Sequence, residues 1–313
     1  MRREFNFDGM EAAPRWIAIF LGANLLVHLL VLYVWNAAGQ VVSLQGSSGG
    51  TSALSVTGMA MLNLWLCLMV LKSFPAGQPL RSTWLLLTVA AAVEGASGVV
   101  GQVLGTDWLL NPLTWAGSAG FGWIEQIRLT TLFASGPVHL ALLATAMAAV
   151  LRILQRYGFW VRPSAADWAV PGIACLFALC RFGEACVASL AGKPGSLENC
   201  ISLAGLPLLC VLFLEAMLLR QSVLRMGNGL IARVWMALVC GILLTGAGEA
   251  VLWVIPHYSQ TLPLAISGIL IRLLIAAAFA LAPACQLAAQ HRAFKPDRGI
   301  SENVGSHSPV LAR

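Results

Sequence analysis

The chain has 313 residues, of which 58% are apolar and only 10% are charged, and its mean hydropathy is +0.80. Soluble domains carry about a quarter charged residues, so this composition excludes an ordinary soluble protein and indicates a polytopic membrane protein whose main partner is the lipid bilayer. The net charge of +6 does not indicate a nucleic-acid partner, because the basic residues lie between apolar runs rather than in one patch.

The predicted elements, in chain order, are a short N-terminal segment, a helical bundle and a polar tail. Residues 1–14 are the N-terminal segment, and residues 15–289 contain about eight apolar runs of about 20 residues, the length of a helix that crosses roughly 30 Å of hydrocarbon. These runs are too long and too uniformly apolar for barrel strands, so we predict an all-α bundle of about eight transmembrane helices in four antiparallel hairpins. Residues 290–313 are polar and contain Pro, Gly and Ser, which predicts a disordered tail.

The loop between the third and fourth predicted helices, residues 105–128, is rich in tryptophan. It contains Trp108, Trp115 and Trp123. Because tryptophan is enriched at the level of the lipid headgroups, we expect this loop to be an interfacial segment or a lid over the outer end of the bundle.

The distribution of Lys and Arg predicts the orientation of the bundle. If the N-terminus lies inside, 15 of these residues fall in inner segments, and only Arg128 and Lys193 fall in outer loops. This asymmetry follows the positive-inside rule. It predicts a bacterial-type inner (plasma) membrane protein with the N-terminal segment and the tail both in the cytoplasm.

Charged and imidazole side chains interrupt the apolar runs, mostly between the middle of the membrane and its outer third. The members of this polar layer are Glu94, Arg181, Glu184, Glu249, Arg272, His139 and His28. A charge at this depth costs about 3 kcal/mol, so we expect these side chains to turn inward and pair.

The spacing of the charges predicts particular pairs. Arg181 and Glu184 stand at positions i and i+3, so they share one helical face and can pair within the fifth helix. We expect Arg272 to reach Glu94 or Glu249 across the bundle. Three carboxylates against two guanidinium groups leave one acid that takes a proton or holds a cation.

The polar layer predicts a site that binds or transports a small polar or charged solute, with the unpaired acid providing a link to protons. The alternative is a non-transporting sensor or assembly subunit, in which the same groups fasten helices to each other or to a membrane partner subunit. The eight cysteines include no CxxC pair and the chain has no nucleotide-binding fingerprint. We therefore predict no cofactor, no metal site and no catalytic residue.

One motif in the third helix suggests a more remote alternative. Within "EGASGVVG", residues Gly95 to Gly98 form a G-x-S-G sequence. It resembles the nucleophile motif of the rhomboid intramembrane serine proteases. The resemblance implies that Ser97 is a nucleophile, that His139 on a later helix is its base, and that Asn63 donates to the oxyanion. The upstream histidine of that family is missing here, and the resemblance covers only a few residues.

Overall fold

The computed structural model describes residues 13–37, 48–104, 122–159, 162–191, 205–227, 229–254 and 262–294. These residues contain eight α-helices, one short 3-10 helix and no strand, which confirms the all-α prediction for the described part of the chain. The α-helices are α1 (Ala13–Ala37), α2 (Ser48–Ser73), α3 (Pro79–Leu104), α4 (Gly122–Arg156), α5 (Ala169–Leu190), α6 (Gly205–Met226), α7 (Leu230–Val254) and α8 (Leu262–Phe294).

Within the residues that the structure describes, five helices contain a stretch that is long and apolar enough to cross a membrane. These stretches are Pro79–Val100, Ala134–Arg156, Gly205–Met226, Ile231–Gly248 and Leu270–His291, and α2 adds a shorter apolar stretch, Thr57–Ser73. Helices of this length and composition are typical of a membrane protein, because a helix satisfies all its backbone hydrogen bonds internally in lipid.

Six of the helices pack in a closed ring. Around it, each helix packs on the next in the order α2, α3, α4, α6, α7, α8, and α8 returns to α2. We call this arrangement the six-helix ring. The other two helices lie outside it, α1 mainly against α8 and α5 against α6. The pair α1–α2, predicted as the first hairpin, therefore packs less extensively than α1 and α8 do.

Small residues allow neighbouring helices of the ring to approach closely. A Cβ atom added to Gly246 of α7 would overlap the ring of Phe213 on α6, whose Cε1 would lie 2.9 Å away. A Cβ added to Gly98 of α3 would lie 2.7 Å from the hydroxyl oxygen of Thr57 on α2. Close approach of backbones at small residues is the usual way in which membrane helices gain packing energy.

Two element boundaries differ from the prediction. The helix α4 begins at Gly122, inside the predicted loop 105–128, and α8 continues to Phe294, past the predicted start of the tail at residue 290. The last turns of α8 are tied to the end of α2, since the hydroxyl of Ser73 donates to Oε1 of Gln290 at 2.6 Å. Residues 1–12, 105–121 and 295–313 lie outside the described residues.

A capping box precedes α5 and connects it to α6. Oδ2 of Asp167, in the 3-10 helix Ala165–Trp168, accepts hydrogen bonds from the backbone N–H of Ser164 at 2.7 Å and from its hydroxyl at 2.5 Å. The side-chain amide of Gln221 on α6 donates to the same oxygen. The hydrogen bonds from Ser164 hold the pKa of Asp167 below its ordinary value, because they favour the ionised carboxylate. This connection fixes the start of α5 on the outside of the ring.

Candidate functional site in the six-helix ring

The structure confirms the predicted ion pair of α5. A guanidinium nitrogen of Arg181 lies 3.0 Å from Oε2 of Glu184, and the two side chains are 35% and 46% exposed. Because α5 packs against α6 on the outside of the ring, this pair is separated from the residues that line the ring interior.

The remaining members of the predicted polar layer lie in different places. Glu94 is half-buried on α3, whereas Arg272 on α8 is exposed. The side chains of Ile271 and Ile275 face Gly248 of α7, and Arg272 points about 100° away from Ile271, so it turns away from that contact. Within the described residues no ion pair joins Arg272 to Glu94.

For two predicted site residues, Glu249 and His28, the structure describes the backbone. The backbones of Glu249 and His28 belong to α7 and α1. Their side chains lie outside the described residues.

A polar seam runs between α3 and α4. Nδ1 of His139 lies 3.0 Å from the carbonyl oxygen of Ala90, and further along the two helices the hydroxyls of Ser97 and Ser135 are 2.9 Å apart. Glu94 lies one turn after Ala90 and one turn before Ser97, on the same face of α3. We call these five residues the α3–α4 seam. The two bonds also show that α3 and α4 are antiparallel, since the partner of Ala90 is residue 139 and the partner of the later Ser97 is the earlier residue 135.

The hydrogen bond of His139 fixes its chemistry. A carbonyl oxygen can only accept a hydrogen bond, so Nδ1 carries the proton and Nε2 of the neutral ring has a free lone pair. The imidazole also makes a T-shaped contact with the aromatic ring of Phe279 on α8, with the ring centroids 6.2 Å apart and the planes at 86°. His139 is therefore an oriented imidazole that can accept a second proton at Nε2.

A small cavity lies inside the ring next to this imidazole. Its volume is about 10 Å³, which is space for one water molecule and for no larger ligand. It is lined by side chains of α2, α3, α4, α7 and α8. The lining residues are Asn63, Cys67, Trp84, Leu87, Ala90, Ala91, His139, Leu143, Leu238, Phe279 and Pro283.

Two of the residues that line the cavity carry a polar group that lacks its usual partner. Trp84 is fully buried, and its indole N–H has no acceptor within the described part of the chain. Pro283 has no N–H, so it cannot make the intrahelical hydrogen bond to the carbonyl of Phe279 four residues earlier. Asn63 is also buried, and its Oδ1 accepts from the thiol of Cys67 at 3.5 Å.

Aromatic packing closes the ring on the other side of the cavity. Trp84 precedes Ala90 by six residues, about 9 Å along α3. Its ring packs against Trp235 of α7 with centroids 6.3 Å apart, and neither side chain is more than 2% exposed. The seam thus extends from the cavity toward the C-terminal end of α3, and the two tryptophans close the ring toward the N-terminal end.

Comparison with known proteins assigns this chain to no family. No protein-family model, curated protein or solved structure matches the chain. The site must therefore be interpreted from its own geometry. Within the described residues no cluster of three or more His, Cys, Asp or Glu side chains is placed to hold a metal ion.

The arrangement of Ser97 and His139 differs from what the rhomboid resemblance implies. The hydroxyl of Ser97 pairs with Ser135, and His139 uses Nδ1 for the carbonyl of Ala90, two helical turns before Ser97. The hydrogen bonds of these two residues therefore do not join a nucleophile to a base. Asn63 lines the cavity beside His139 instead.

Sequence reasoning missed several residues of the site. Trp84, Phe279 and Pro283 lie in uniformly apolar runs and give no signal of their own. Asp167, which lies outside this site and holds the start of α5, was also missed although a signal existed: "SAAD", residues 164–167, is a capping-box sequence directly before an apolar run.

Proposed function

We propose that this chain crosses a bacterial-type inner membrane eight times, with both termini in the cytoplasm, and moves a small polar or charged solute in a proton-linked manner. The observation that carries the proposal is the oriented His139, which has a free lone pair on Nε2 and lines a small cavity inside a ring of apolar helices. An ionisable group that faces the interior of a membrane bundle is the usual mark of a proton path or a substrate site.

The α3–α4 seam supplies the outer part of the path. Ser97, Ser135 and Glu94 offer hydroxyl and carboxyl groups that exchange protons, and Ser97 and Glu94 lie on the face of α3 that leads to the carbonyl of Ala90, which holds His139. With the C-terminal end of α3 outside, the seam opens to the outer side and the tryptophan pair closes the inner side. Because the cavity admits only a water-sized ligand, passage of a solute requires the ring to widen.

Proton movement into proteoliposomes tests this function. A pH-sensitive dye inside the vesicles reports proton uptake driven by an imposed membrane potential, with and without a mixture of small amino acids, sugars and carboxylic acids outside. We expect His139→Gln to lower the uptake at least tenfold, because glutamine cannot take up a proton. Thr145→Val is the matched control on α4, since the Thr145 side chain is exposed and bonds only within its own helix, to the carbonyl of Ala141.

Two results would count against the proposal. One is wild-type uptake no greater than that of empty liposomes under every solute mixture. The other is equal uptake by the wild type and the His139 variant, with the variant purified in the same amount.

A second candidate, a non-transporting sensor or assembly subunit, is favoured by the ion pair of α5. Charges left partly exposed at this position in a helix are costly in lipid, and a membrane partner subunit that covers α5 would shield them. Affinity purification from gently solubilised membranes would then recover a second membrane protein in a fixed ratio, whereas recovery of the chain alone would reject this role.

A further inference from the structure

The central cavity combines three features that together specify a ligand. Its volume, about 10 Å³, suits a single water molecule, and one lining residue is Trp84, whose buried indole N–H has no acceptor within the described residues. Phe279 and Pro283 also line it, and Pro283 has no N–H to donate to the carbonyl of Phe279. A buried water requires two to four polar partners and about this volume.

We infer that the cavity binds one water molecule, which accepts the indole N–H of Trp84, donates to the carbonyl of Phe279 and to Nε2 of His139, and passes protons to His139. The water would satisfy the indole N–H, which is otherwise an unpaired buried donor. The relay part of this inference rests on the proton-linked function proposed above, whereas the water site does not.

The proton transfer balances without any further reactant. When an excess proton reaches the bound water, one O–H bond of the hydronium breaks and the lone pair of Nε2 forms an N–H bond. The products are neutral water and an imidazolium. The imidazolium keeps its hydrogen bond from Nδ1 to Ala90, because both ring nitrogens of the protonated ring are donors.

Two substitutions remove one partner of the water each. Trp84→Phe keeps an aromatic ring at the same place and removes only the N–H. Pro283→Ala restores a backbone N–H that can bond to the carbonyl of Phe279 and so takes away the acceptor. Trp235→Phe is the matched control, because Trp235 is equally buried and packs on Trp84 but is not among the residues that line the cavity.

The test joins a high-resolution map of the full chain in lipid nanodiscs with the proton-uptake assay. We expect one density peak within hydrogen-bond distance of both Trp84 Nε1 and the Phe279 oxygen, lost in Trp84→Phe and in Pro283→Ala but kept in Trp235→Phe. Proton uptake should fall about tenfold in the first two variants, the effect of one lost buried hydrogen bond, and stay unchanged in Thr145→Val, the control used above.

The outcomes separate the water site from the transport function. A wild-type map with these side chains well defined and no peak between them would overturn the water site. A peak lost in the two variants with unchanged uptake would overturn the relay. A peak that behaves as expected in a protein that takes up no protons would support the water site and reject the proposed function. If Trp84→Phe does not fold, Pro283→Ala and its map decide the question.

Discussion

The six-helix ring and the two helices outside it are built from similar apolar sequences but use them differently. In the ring, large side chains such as Trp84, Met59 and Met147 are almost fully buried, and helices meet at glycines. On α1 and α5, residues of the same kind are open: Leu26 is 69% exposed and Leu179 is 68% exposed. The difference shows that hydropathy predicts which segments are apolar enough for a membrane, whereas helix packing decides which of their side chains are buried against protein.

The two outer helices also differ from each other. The described face of α1 exposes apolar side chains, whereas α5 adds the partly exposed pair of Arg181 and Glu184. A helix that faces lipid needs no charges, so α5 is the outer helix that a membrane partner would cover under the second proposed function. Three substitutions, each with a matched partner, test these comparisons.

The largest expected effect contrasts two tryptophans. Trp84→Ala in the ring should lower the free energy of unfolding by about 3 kcal/mol, because it leaves a cavity that the surrounding helices cannot fill. Trp16→Ala on α1, where the side chain is 64% exposed, should change it little. The midpoints of thermal unfolding in detergent report the stability of both variants. Similar shifts for the two would contradict the burial of Trp84 inside the six-helix ring.

A smaller effect is expected for two glycines. Gly246→Ala pushes a methyl group into the buried ring of Phe213 and should cost about 1–3 kcal/mol. Gly22→Ala on α1 meets no atom within 4 Å and should be neutral or stabilising, since alanine favours helix over glycine by up to about 1 kcal/mol. The same unfolding assay applies, and a destabilised Gly22 variant would show that α1 is packed on that face.

The smallest effect on stability is expected for the ion pair of α5. Replacing Arg181 and Glu184 together by leucine should change the free energy of unfolding by less than about 1 kcal/mol, because the pair is partly exposed. Any membrane partner held by this surface should be lost from the purified complex, while Leu26→Ala on α1 should keep it. A large fall in the unfolding midpoint would instead mean that the pair belongs to the core.

Several features of the fold could be predicted from local sequence. The apolar runs predicted the helices, and the i, i+3 spacing predicted the bond between Arg181 and Glu184, because both depend on contacts within one helix. The role of Trp84 could not be predicted, because its neighbour Trp235 lies about 150 residues away and nothing in either apolar run marks the contact. The pairing of Ser97 with Ser135 rather than with His139 depends on the relative positions of α3 and α4, which the sequence does not show.

By itself, the sequence determined that this protein is helical and apolar enough for a membrane, since the length and hydropathy of a run set the cost of placing it in lipid. The tertiary structure decided which helices form the ring, that His139 rather than the charged pair of α5 lies at its cavity, and that the cavity has the size of one water. The reason is that interhelical hydrogen bonds and close packing join helices that are distant in sequence. Apolar runs of nearly the same composition can therefore face either protein or lipid.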